Sequence, residues 1–189
     1  FRTRCTFVVD LAEQGSEGQE EVVVAMGSRY LNAARLGRAK LAEWHRNSEI
    51  EVPSACNDCM FRTECHSAFG AIESSGIGLY PFNKRALLNM HKTILEQNGT
   101  NWLPREFNKN ILTPMLSEFA THLENGQFPP IELRDRMTNN LHVPLSGPQV
   151  QQLSEFAGAA NTDRLRTFIE LWEQDWSNQS LELSPEGAY

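Results

Sequence analysis

From Glu20 to about Arg46 apolar residues recur every three to four positions, with Val23, Met26, Tyr30, Ala34, Leu41 and Trp44 on one side. That period predicts a long amphipathic helix, and the acidic pair Glu20 and Glu21 at its start suits the helix dipole. Upstream, residues 3–12 hold the continuous apolar run Phe7-Val8-Val9 and end at Asp10, the pattern of a strand inside a covered sheet. The intervening EQGSEGQ is a loop by composition.

Beyond the helix, an extended stretch ends in Val52-Pro53, and Ile77 to Phe82 predicts a second short strand. Asn83 is placed to cap a helix bearing Leu87, Leu88, His91, Ile94 and Leu95, which Gly99 closes. Pro104 suits the first turn of the next helix, whose stripe is Phe107, Ile111, Met115, Phe119 and Leu123. Pro114 lies inside that stripe and is expected to kink or split it. Residues 125–148 are rich in Gly, Pro and Asn and read as a long connection. Two helices follow at about 148–158 and 162–176, the second carrying Leu165, Phe168, Ile169, Trp172 and Trp176 on one face. The tail from Ser177 is polar. The expected fold is therefore mainly α with a minor β component of two short strands. Its divisions are 1–55 (strand and long helix), 56–70 (a cysteine knuckle), 77–145 (a helical region) and 146–189 (further helices or the start of another domain).

Charge narrows the function. The net charge of −7 argues against the whole chain acting as an electrostatic platform for nucleic acid. Arg29, Arg35, Arg38, Lys40 and Arg46 nevertheless share one helical segment, either as a solvated face or as a local basic surface. No run is long enough for a membrane helix, and the opening FRTRCTFVVDLA lacks the regions of a signal peptide. A cytoplasmic chain without membrane contact is expected. Since it opens on Phe1 in mid-strand, it is expected to be an internal piece of a larger chain or complex.

Three of the four cysteines crowd into CNDCMFRTECH, as Cys56, Cys59 and Cys65, followed at once by His66. A Cys-x-x-Cys turn points two thiolates at one soft cation, and a third Cys nearby closes the loop. Zinc needs a fourth ligand. His66 is nearest, adjacent residues seldom both reach one ion, and Cys5 and His45 remain alternatives. Ordinary buried thiols are the competing reading. No His-Glu pair accompanies the cysteines, so a structural zinc site is favoured over a catalytic one.

The spacing Cys-x2-Cys-x5-Cys with a distant Cys5 resembles the iron–sulfur pattern of RecB-type nucleases, including CRISPR-associated ones, which implies a cluster cofactor and a nuclease remnant. Those enzymes also carry an Asp…Glu-x-Lys core between the first Cys and the trio. Here Asp10 is present without any Glu-x-Lys.

A second resemblance covers more of the chain. The order RCTFVVD strand, helix, GLYPFN strand, helix, then a helix opening with Pro104-Arg105 looks like the C-terminal part of an AAA+ ATPase module. RYLNAARLG, CHSAFG, GLYPFN and PREF also resemble segments of large ATPases of prokaryotic anti-phage defence systems, which carry a similar knuckle between core and lid. The resemblance implies that Arg105, in Trp102-Leu103-Pro104-Arg105-Glu106-Phe107, touches nucleotide phosphates. It also implies that Arg29 or Arg35 points toward a neighbouring subunit's nucleotide in a homo-oligomer. For each, a plain surface arginine is the alternative. No G-x-x-x-x-G-K-[ST] loop and no apolar run ending in Asp-Glu occurs, so ATP and magnesium are expected only with a region upstream of Phe1.

Asp10 reads as a strand-end turn former or a carboxylate sensor, and His91 as a core histidine. His122 and His142 receive no role. Phe168, Trp172 and Trp176 either stack on bases or pack against a neighbour. Three functions stand open: the lid and knuckle of a defence-type ATPase, a zinc adaptor for DNA or protein, and a cluster-bearing nuclease remnant.

Overall fold

A computed structural model describes residues 18–47, 52–98, 104–137 and 144–173. The expected strand at 3–12 with Cys5 and Asp10, as well as Gly99, His142, Trp176 and the tail, lies outside the described residues. What is described is mainly helical with a minor β component, as expected; that component is one antiparallel hairpin, whose first strand the periodicity does not mark. Among the described residues no helix is long and apolar enough to cross a membrane.

Helix α1 runs Gln19–Asn47 and bends at Gly37, whose φ of 72° is open to glycine and costly for other residues. Its buried side is Val23, Val24, Gly27, Ser28, Leu31, Asn32 and Leu36. This seam is rotated from the expected line, and Tyr30 is left exposed. Small residues explain the rotation: a Cβ on Gly27 would lie 3.1 Å from Leu87 Cδ1, so the helix approaches its neighbour through Gly27 and Ser28.

The short helix α2 (Arg62–Phe69) leads into β1 (Ala71–Ile72) and β2 (Ile77–Gly78), paired Ala71↔Gly78 and Ile72↔Ile77. The expected strand from Ile77 to Phe82 stops at Gly78. Leu79 donates its amide to Gly70 O, Pro81 has no amide to donate, and Phe82 turns back to Leu79 O. Helix α3 (Lys84–Asn98) begins as anticipated, with Asn83 Oδ1 accepting the Ala86 amide at 2.7 Å.

Next come α4 (Pro104–Phe107), a π-helical turn (Asn108–Leu112), α5 (Thr113–Ser117) and α6 (Ala120–Glu124). Phe107, Ile111, Met115 and Phe119 are all buried along this run. The helix is split as Pro114 predicts. The wider π turn precedes the proline, and the chain breaks direction near Phe119.

The segment 125–148 is not one continuous connection, because α7 (Ile131–Met137) folds within it. It starts directly after Pro129-Pro130 and buries only Leu133 and Met137, too few anchors to show a period. Ser146 and Gln149 form a capping box at the start of α8 (Gly147–Ala157), and α9 (Ala159–Trp172) ends the described chain. Trp172 is 1% exposed. Its indole lies against Phe82, Phe128 and Phe168 and donates its N–H to Pro81 O at 3.0 Å. Its packing partners are thus within this chain. The core joins α1, α3, the α4–α5 run, α7 and the end of α9, while Leu145, Leu153 and Ile169 form a smaller cluster beside it.

Candidate metal centre

The knuckle is held from below by α1. Buried Asn32 donates its amide to Pro53 O and accepts from the Ala55 amide, both at 2.9 Å, as a backbone partner would. This fixes the chain as it enters the cysteine turns. There Asn57 donates to Ser54 O, Cys59 to Cys56 O and Arg62 to Cys59 O. From Arg62 the turns become α2, which carries Cys65 and His66. Phe69 closes the helix edge-on against Tyr80 and Phe128.

Cys56 is the buried thiol of the three; Cys59 is exposed and Cys65 half-buried, and all three are free. The Gly78 amide donates to Cys56 Sγ at 3.3 Å. Arg35 reaches over from α1, with Nη1 2.8 Å from Gly78 O and 3.8 Å from Cys56 Sγ, while Nη2 donates to Tyr80 O. A guanidinium and a backbone amide thus both approach one sulfur. Burial pushes the Cys65 thiol above its ordinary pKa, opposed by Arg35, raised further by Cys56 and Cys59, and lowered by the Tyr80 amide.

His66 Nε2 is buried and has no hydrogen-bond partner. It faces Gly78: a Cβ there would sit 2.9 Å from Nε2 and 3.5 Å from Cys56 Sγ. Only glycine lets the imidazole lie that close. The donors suit a soft cation in chemistry, being three thiols and an unpartnered imidazole nitrogen. They are not drawn together, since among the described residues no group of three or more His, Cys, Asp or Glu side chains is gathered as a metal site.

The other candidates lie elsewhere. Arg105 is exposed on α4, Arg29 is exposed on α1, and His45 is exposed in the last turn of α1. Arg35 belongs to the knuckle's surroundings. His122 stacks on Phe119 and lies 3.9 Å from Glu132. His91 is buried with its ring edge-on to Phe107. Asn32 and Gly78 carry no role in the sequence reading, although an Asn among the apolar positions of α1 is a signal that a buried partner must exist.

No protein-family model, curated protein or solved structure matches this chain.

Proposed function

We propose that this chain is a helical module fastened by a structural zinc knuckle, with Cys56, Cys59 and Cys65 as thiolate ligands. The observation that carries the reading is the surroundings of Cys56 Sγ, which receives the Gly78 amide and lies beside Arg35 and the partnerless His66 Nε2. Zinc would supply a cross-link between the cysteine turns and α2, and its binding free energy would add directly to folding.

The wider role rests on the resemblance to defence-type AAA+-like ATPases. In that role the module is the lid and knuckle of a P-loop protein, and it couples nucleotide state to oligomer or nucleic-acid contacts. The continuity of α1, which spans both the helical core and the knuckle through Val23, Asn32 and Arg35, supports such coupling. Its test is Arg105→Ala in an assembly that includes the P-loop region. The variant should bind this chain's partners normally and lose ATP turnover. Unchanged turnover would remove Arg105 from the nucleotide site.

A second reading, a zinc adaptor for DNA, is favoured by Arg29, Arg38, Lys40 and Arg46, all exposed on α1. DNA affinity that falls steeply with salt, and that weakens in an R38E/K40E variant, would favour it.

A further inference from the structure

We infer that His66 Nε2 is the fourth ligand of the knuckle, completing a Cys3His zinc site with Cys56, Cys59 and Cys65, and that Arg35 is the cation that balances its charge. The inference rests on the metal reading above and assigns what that reading leaves open.

A buried ring nitrogen without a partner is costly, and folded proteins rarely leave one. His66 Nε2 is such an atom. The Cδ2–Nε2 edge of the ring lies against the bare α-carbon of Gly78, with Cys56 Sγ close to the same position, and a metal bond there would satisfy the nitrogen.

Cys65 and His66 are consecutive on α2, so their side chains leave the helix about 100° apart. One ion can meet both only in the space between those directions, where a third element must stay clear. β2 and the residues after it run past both, with Gly78 against His66 and the Tyr80 amide at Cys65. Cys56 is already held by the Gly78 amide at 3.3 Å.

Charge points the same way. Zinc with three thiolates and a neutral imidazole carries one net negative charge, whereas four thiolates carry two. Arg35 brings one positive charge to 3.8 Å from Cys56 Sγ while its remaining donors hold Gly78 O and Tyr80 O. It is a positioning residue, acting on the ligands rather than on the ion.

The test uses the full chain, stripped of metal and titrated with cobalt(II), whose visible bands report ligand number and the ratio of sulfur to nitrogen. One cobalt per chain with a tetrahedral three-sulfur, one-nitrogen spectrum is expected, and Cys5→Ser should leave it unchanged. His66→Ala should weaken binding at least about tenfold, the range seen when a metal site loses support. His66→Cys should restore tight binding with the bands moved to the four-sulfur position, which separates loss of a ligand from loss of the fold. Arg35→Gln should weaken binding several-fold and Arg35→Lys should recover part of it. If His66→Ala keeps the spectrum and Cys5→Ser loses it, His66 is not the ligand and the metal reading survives. If the wild-type chain binds no cobalt, both fall.

Discussion

Gly78 donates its amide to the sulfur of Cys56 at 3.3 Å while its bare α-carbon faces the imidazole of His66. One residue thus serves as a donor to the sulfur and as room for the imidazole. The two-residue strand β2 exists to place it there, since Arg35 takes the same residue's carbonyl. Replacing Gly78 by Ala sets a methyl group 2.9 Å from His66 Nε2. Overpacking of this kind costs about 1–3 kcal/mol, so Gly78→Ala should lower the urea midpoint and speed metal loss to a chelator. Unchanged metal retention would mean that His66 and Cys56 do not both lie against Gly78 in solution.

Arg35 ties α1 to the turn after β2 through Gly78 O and Tyr80 O. Truncation to Ala should cost about 2 kcal/mol, the value for hydrogen bonds from a charged donor. Lys should recover less than half, because an ammonium cannot span two carbonyls as a guanidinium fork does. Equal stability of the Lys variant and the wild type in chemical denaturation would contradict this account of the fork.

Glu170 is the buried acid among the described residues, with its side chain fully enclosed. It accepts from Arg134 Nε at 2.5 Å, Arg166 Nε at 2.9 Å and the Leu145 amide at 3.0 Å, so it joins α7, α9 and the entry to α8. Glu170→Gln keeps the shape but removes the negative charge that the Arg134 and Arg166 guanidinium groups share. A loss of about 3 kcal/mol is expected in equilibrium unfolding, as for breaking other buried pairs. A loss under about 0.5 kcal/mol would show that the arginines reach solvent at little cost.

His91 is buried, and that burial pushes its pKa down to about 4, with Lys92 lowering it further and Glu20 opposing. The unfolded chain, with an ordinary histidine near 6.5, binds more protons than the folded one between these values. Stability should therefore be complete above about pH 6.5 and fall as pH drops toward 4, by up to about 3 kcal/mol. Comparing the wild type with His91→Gln by urea unfolding across that window isolates the effect, and the variant should show the shallower slope. Parallel slopes would mean that His91 is protonated in the folded protein.

Much of the fold was legible because it is written in short-range periods. The start of α3 at Asn83, the stripe through Phe107, Ile111, Met115 and Phe119, and the break at Pro114 all follow from residues within two turns of one another. The seam of α1 was misplaced because glycine and serine at the close approach carry no hydrophobic weight. Helix α7 was missed because two anchors make no period. The cysteine spacing marked the knuckle, yet its supports come from far along the chain. Asn32 reaches Pro53 across 21 positions, and Arg35 reaches Gly78 across 43. No local pattern encodes such pairings. They arise only once α1 lies alongside the hairpin.

The most direct test is elemental analysis, with an absorption spectrum, of the chain purified without added metal. The account predicts one zinc per chain, no visible colour, and a fold that loosens when a strong chelator removes the ion. Iron with acid-labile sulfide and visible absorbance would contradict the zinc assignment and favour a cluster bound by cysteine alone. A metal-free, fully folded chain would contradict the central claim itself.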